Sequence, residues 1–290
     1  MSKKKFGDRR DARRVDKDID PLFIIATRIV RSRADSDIYL YQKVDITDLV
    51  KYMGEEKKKS PDNYPTFFHI FCFALAKTMF LRPKLNRYIK NYKTYQRDLV
   101  SIGYVAKGGF EDSAREFLSN ITMDKSYTLE MIKSELTNQV KKIRNSGEES
   151  GTDKLVSTIA KMPSPIVNIF GWALRFMDKH DWLPQDVCDS LIYYSSCIVS
   201  NIGVLQSDAV YHCIADFGTN SFMVMIGEIK EEYVFDDKGK PQKRSFVTFG
   251  VNVDQRLADG FYLIKSIKVF ESILANPKLL AGTVGDSIAE

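Results

Sequence analysis

One corner of this chain restricts its fold more than any other segment. Residues 245–253 alternate, with Phe249, Val251 and Val253 on one face and Thr248, Gly250 and Asn252 on the other, the period-two pattern of a strand. Past Asp259-Gly260 the period changes. Phe261, Ile264, Ile267, Phe270, Ile273 and Leu274 recur at helical spacing, and the run stops before Asn276-Pro277. A strand with an apolar face, followed at once by a helix with an apolar stripe, hides both by laying helix on sheet. Asp259 at the junction reads as a turn residue and helix N-cap, its carboxylate accepting from N–H groups that lack a partner inside the helix.

The same two periods place the other elements. Strands are expected at 38–47, 99–106, 119–123, 197–201 and 221–228, and helices at 66–81, 129–144 and 260–275. Asp236-Asp237-Lys238-Gly239-Lys240 reads as a hairpin turn, with Gly239 available for a positive φ. This mixture predicts an α/β two-layer sandwich, a mixed sheet covered by helices. At 290 residues and 44% hydrophobic content the chain has enough apolar surface for a large core. Residues 31–290 read as one domain, 1–30 as a basic N-terminal arm, and the polar stretch 145–154 as a surface loop.

Several segments together resemble the chloramphenicol acetyltransferase superfamily, most closely the catalytic domain of the acyltransferase component of 2-oxoacid dehydrogenase complexes. Gln255-Arg256-Leu257-Ala258-Asp259-Gly260 is similar to that family's His-x-x-x-Asp-Gly, with Gln255 in the place of the His. Arg31-Ser32-Arg33 and the following strand resemble the family's first arginine-containing helix and first long strand. The segment from Tyr64-Pro65-Thr66 to Arg82-Pro83-Lys84-Leu85-Asn86 looks like its second helix and exit. Ser200-Asn201-Ile202-Gly203 resembles a Ser-Asn-Leu-Gly strand end, and Asn276-Pro277-Lys278-Leu279-Leu280 the family's ending. Each piece is weak alone; their order along 31–280 is what is specific.

The resemblance implies a homotrimer with active channels between subunits, and coenzyme A or an acyl-CoA as substrate. In the family the His acts as general base on the attacking hydroxyl or thiol, and a Ser hydroxyl donates to the oxyanion. Ser200 matches that Ser. Asp259 matches a carboxylate that holds the corner by a salt bridge to an arginine, with Arg31 the best match and Arg33 second, and Gly260 leaves room at the helix start. A glutamine at 255 has no useful proton affinity near neutrality, and loss of general-base help costs about 10²- to 10⁴-fold, or roughly 3–5 kcal/mol of barrier. A thiol acceptor evades part of that loss by ionising unaided. The implied readings are a slow, thiol-specific acyltransferase, or a catalytically inactive relative that binds thioesters or serves as a scaffold. Antibiotic acetylation fits less well, because a hydroxyl acceptor needs the missing base.

Of the three histidines, His69 sits on an apolar helix face and reads as a satisfied core residue, His180 lies in a Lys-His-Asp turn, and His212 is flanked by packing residues. Cys72, Cys188, Cys197 and Cys213 form no C-x-x-C pair, so reduced structural thiols are expected and no metal site. No secretory signal pattern is present and no lipoyl lysine is recognised, which points to a cytoplasmic protein whose lipoyl group, if it uses one, comes from a partner. Residues 1–33 carry a balance of +6 out of the net +5, so the basicity belongs to the tail. A solvated, partly disordered arm is expected there, and without interleaved aromatics nucleic acid is not. Finally, 155–193 is an apolar helical insertion relative to the family. Two readings stand: a helix packed on the domain or in an oligomer contact, and a peripheral membrane contact through Ile166 to Met177 with Arg175 and Lys179 near headgroups.

Overall fold

The computed structural model describes residues 7–107, 116–146 and 157–288. In chain order its main elements are β1 (Ala12–Arg14), α1 (Pro21–Ile29), β2 (Asp37–Asp45), α2 (Thr47–Lys59), α3 (Phe67–Leu81), β3 (Arg87–Lys90), β4 (Lys93–Arg97), β5 (Val100–Lys107), β6 (Glu116–Met123), α4 (Leu129–Ser146), α5 (Ser164–His180), α6 (Gln185–Ser190), β7 (Cys197–Asn201), β8 (Phe222–Phe235), β9 (Pro241–Asp254) and α7 (Gly260–Ala275). The principal sheet is mixed and six-stranded, in the order β2-β9-β8-β7-β5-β6. Strands β5, β7 and β8 run parallel, while β2, β9 and β6 pair antiparallel to their neighbours. A small antiparallel sheet, β1-β4-β3, lies apart from it. The expected α/β sandwich is therefore present.

The core forms where helices cover the large sheet. Helix α3 is buried continuously from Ile70 to Met79, as expected of a helix that is apolar all round. It contacts α4, α7 and β5. Phe71 meets Phe270 of α7 and Phe249 of β9 edge-on, at centroid distances of 4.9 and 6.0 Å. The alternation of β9 and the helical stripe of α7 thus meet in one aromatic cluster. The hairpin joining β8 and β9 turns where expected, with Gly239 at φ 73° and the Gly239 N–H donating to the Asp236 carbonyl at 2.8 Å.

One sequence reading is corrected and two elements are added. The N-terminal arm is folded from Ala12 onward: β1 pairs with β4, and Asp20 caps α1 by accepting from the Leu22 N–H. Its cations find acids, with Arg9 on Asp181 at 2.6 Å and Arg13 on Asp98 at 2.9 Å, which tie the basic tail to the domain. The hairpin β3-β4 was not read because its turn residues are Asn91 and Tyr92, both at positive φ, rather than an Asn-Gly pair. Helix α2 was also missed: only Leu49 on it is buried, and its second half is the charged run Glu55-Glu56-Lys57-Lys58-Lys59. Most of the polar loop 145–154 lies outside the described residues.

Candidate functional site: the Ser200 cavity and the Gln255 corner

Ser200 and Gln255 sit at opposite ends of the principal sheet. Ser200 pairs with Met225 and Met225 with Gly250, so Gln255 lies two strands across and five residues further along. At strand spacings of about 4.8 Å across and about 3.3 Å per residue, the two are roughly 15–20 Å apart within one chain. The structure does not bring them together in a single subunit.

The Ser200 end is open and apolar. Ser200 and Asn201 close one side of a cavity of about 570 Å³, and Phe68, Leu136, Val140 and Leu205 supply apolar walls. Among the described residues the Ser200 hydroxyl has no hydrogen-bond partner, whereas Asn201 Oδ1 accepts from the Gly203 N–H at 3.1 Å and fixes the turn that follows. Gly203 is required there: a Cβ would lie 2.3 Å from the Gly227 carbonyl oxygen. The Ser-Asn-Ile-Gly sequence is thus a strand end that presents one free hydroxyl and anchors the rest.

His69 lines the same cavity, which the sequence reading did not foresee. The signal was present as Thr66-x-x-His69, the spacing of a helix-capping residue and the side chain that reaches back to it. His69 Nδ1 accepts from the Thr66 N–H at 3.1 Å. Burial, with Lys133 nearby, holds the ring well below its ordinary value, at about 4, so it is neutral at physiological pH. With Nδ1 accepting, the neutral ring carries its proton on Nε2 and serves as a donor, not a base. A neutral imidazole fixed this way suits a carbonyl oxygen.

The Gln255 end is locked by charge. Asp254 is buried and accepts from Arg256 Nε at 2.8 Å and Arg256 Nη2 at 2.7 Å, from the Arg256 N–H at 3.0 Å, and from the Ser36 hydroxyl at 2.9 Å. Arg256 also donates to the Val30 carbonyl at 3.0 Å. Buried Arg33 donates to the Ala215 and Phe217 carbonyls at 2.9 and 3.2 Å, and to that of Gly218. Such bidentate, fully partnered charges are how a buried ion pair is tolerated. Gln255 itself is exposed.

The expected Asp259–Arg31 salt bridge is replaced by this network. Asp259 accepts from the Tyr262 N–H at 2.8 Å as the cap of α7, which holds its carboxyl below the usual range. Among the described residues it pairs with no arginine. Arg31 is exposed, on the wall of a different recess. The reason given for Gly260 also fails, since a Cβ there would meet nothing within 4 Å. His180 lies in a cluster of tilted rings with Phe176 and Trp182, the exposed His212 ring pairs with the Cys213 carbonyl at 2.9 Å, and neither lines the Ser200 cavity. Three of the four cysteines are buried and all are free, with Cys213 exposed against expectation.

No family model and no curated protein sequence matches the chain. Solved structures do match in fold. A probable dihydrolipoamide acetyltransferase from Listeria monocytogenes superposes with a TM-score of 0.59 at 17% identity, over 88% of this chain and 92% of that one. A dihydrolipoamide acetyltransferase from Azotobacter vinelandii gives 0.60 at 14%, over 90% and 88%. A chloramphenicol acetyltransferase gives 0.53 at 11%, over 91% and 99%. The fold is the one these acyltransferases share, as the sequence motifs implied.

Proposed function

We propose that this chain is an acyl-thioester transferase, moving acyl groups between coenzyme A and a thiol acceptor, slowed by the lack of a general base. The observation that carries this reading is the cavity in which an unpartnered Ser200 hydroxyl, a donor-locked His69 and an apolar wall converge within an acyltransferase fold. The apolar wall suits an acyl chain. As a thiolate adds to the thioester carbonyl, the oxyanion takes hydrogen bonds from Ser200 Oγ–H and His69 Nε2–H, and the intermediate collapses with coenzyme A leaving as its thiolate. Neither donor removes a proton, so the acceptor must ionise by itself, which a thiol does to a few per cent at neutral pH.

In this reading a homotrimer sets the Gln255 corner of one copy against the Ser200 cavity of the next, because one chain leaves the two roughly 15–20 Å apart. Gln255 then orients the acceptor through its amide. The acceptor is carried by a partner protein, a lipoyl group being the thiol that the resemblance suggests. Free cysteines support a reducing compartment such as the cytoplasm. A second reading, a binding or scaffolding module with no turnover, is favoured by the donor locking of His69 together with the glutamine at 255.

Thiol release from a panel of acyl-CoA thioesters separates the two. Slow turnover by wild type that falls about 10²- to 10³-fold in Ser200→Ala supports the transferase, and Gln255→His should raise it by about 10²-fold or more. Coenzyme A binding with no turnover in wild type establishes the module, and absence of both sinks the thioester reading altogether.

A further inference from the structure

Helix α5 is apolar on more than the side it packs: Val167, Phe170, Leu174 and Met177 are half-buried against the domain, and a second set of apolar side chains faces out. Its one buried residue is a charge: Asp178 pairs with Lys90 and accepts from the Tyr194 hydroxyl. Its outer face is apolar, with Ile166 49%, Ile169 67%, Trp172 68% and Phe176 38% exposed. These positions fall on one stripe of the helix. The stripe continues past the helix end, where Trp182, 63% exposed, meets Phe176 edge-on at 5.5 Å, while Trp172 stacks on Phe176 at the same distance. No helix among the described residues is long and apolar enough to cross a membrane.

The stripe borders a cationic recess of about 410 Å³. Arg31, Arg33, Lys90, Arg175, Lys179 and Arg256 line it against two acids, Asp178 and Asp216. The inner cations are satisfied by Asp178, Asp254 and backbone carbonyls. Exposed Arg31, Arg175 and Lys179 have no acidic partner among the described residues. Helix α1, which forms the opposite wall with Thr27, carries a second outward stripe in Leu22, Ile25 and Ile29, exposed by 70%, 54% and 74%.

We propose that α5, with Trp182 and the recess beside it, docks this chain on an anionic phospholipid surface. Aromatic rings flanked by unpaired cations match an interface in which apolar side chains sink below the headgroups and the cations meet phosphate or carboxylate above them. Charge complementarity selects this occupant over a second copy of the chain meeting it across a two-fold axis. A symmetric self-contact through the same stripe brings Arg31, Arg175 and Lys179 close to their own equivalents, with no acids left to neutralise them.

Co-flotation of the full chain with vesicles tests this, using phosphatidylcholine alone and phosphatidylcholine mixed with phosphatidylserine. Wild type should bind the mixed vesicles at least tenfold better than the neutral ones, and raised salt should weaken that binding. Trp172→Glu should abolish it, and Arg175→Glu with Lys179→Glu should reduce it at least tenfold. All three positions are exposed, and unchanged circular dichroism and thermal midpoints will confirm that the variants fold. Equal, negligible flotation of wild type and Trp172→Glu overturns the proposal. So does sedimentation showing self-association of wild type that Trp172→Glu removes while no vesicle binds, which would assign the stripe to a second copy.

Discussion

The two ends of the principal sheet invert what their sequences suggest. The corner at Gln255 carries most of the recognisable motif, yet its charged side chains are committed to structure: Asp254 to Arg256 and Ser36, Arg33 to three carbonyls, Asp259 to the start of α7. The end at Ser200 offers only a short Ser-Asn-Ile-Gly match, and there a hydroxyl stays free beside a cavity and a histidine is held as a donor. Polar groups already paired in the interior are poor reagents, because engaging a substrate would break bonds whose loss is costly. A motif can therefore survive as scaffold at one end while chemistry depends on less conspicuous residues at the other.

The sharpest way to break that contrast is to unlock the corner. Asp254→Ala leaves the Arg256 guanidinium buried without its carboxylate, and the expected loss is about 3–5 kcal/mol in urea unfolding. A loss below about 1 kcal/mol would mean that the corner is not structurally locked. Asp259→Ala should cost less, a drop of a few degrees in thermal midpoint, as for loss of a helix cap. Because the Tyr262 N–H lowers the Asp259 pKa, that contribution is present above the ordinary Asp range and fades as pH falls through the lowered value. A large effect on acyl-CoA turnover without loss of stability would instead return Asp259 to the chemistry.

The third test concerns His69 and is read as a slope with pH. With the folded ring at about 4 against an ordinary 6.5, its contribution to stability is complete above pH 6.5 and declines as pH falls toward 4, where the unfolded chain takes up a proton that the native ring refuses. His69→Asn, whose amide oxygen can accept the same Thr66 N–H, should flatten that slope in a pH series of urea midpoints. A wild-type slope that survives the substitution would show that another group carries it.

Much of the scaffold was legible because it rests on local periodicity. Strand 197–201 and helix 260–275 agree with the observed bounds, and the turn at Gly239 and the cap at Asp259 follow from residue chemistry within four positions. The β3-β4 hairpin escaped because Tyr92 adopts a positive φ that its identity does not advertise, its ring lying 4.9 Å from the Arg28 guanidinium. His69 was read as a core residue on the strength of its apolar neighbours. Half of that is right, since Nδ1 is satisfied, but the cavity on its other side depends on α4 and β7, far away in sequence.

By itself, then, the sequence determined a helix-covered mixed sheet and which residues could cap, turn and pack within it, since those choices depend on neighbours a few positions apart. Tertiary structure alone decided that Asp254 is buried against Ser36, 218 residues away, and that Ser200 faces open space. It also decided that an apolar face of α5 points outward while a charged residue anchors it. The reason is that burial, desolvation and charge pairing are properties of the packed whole, and no window of sequence contains the groups that set them.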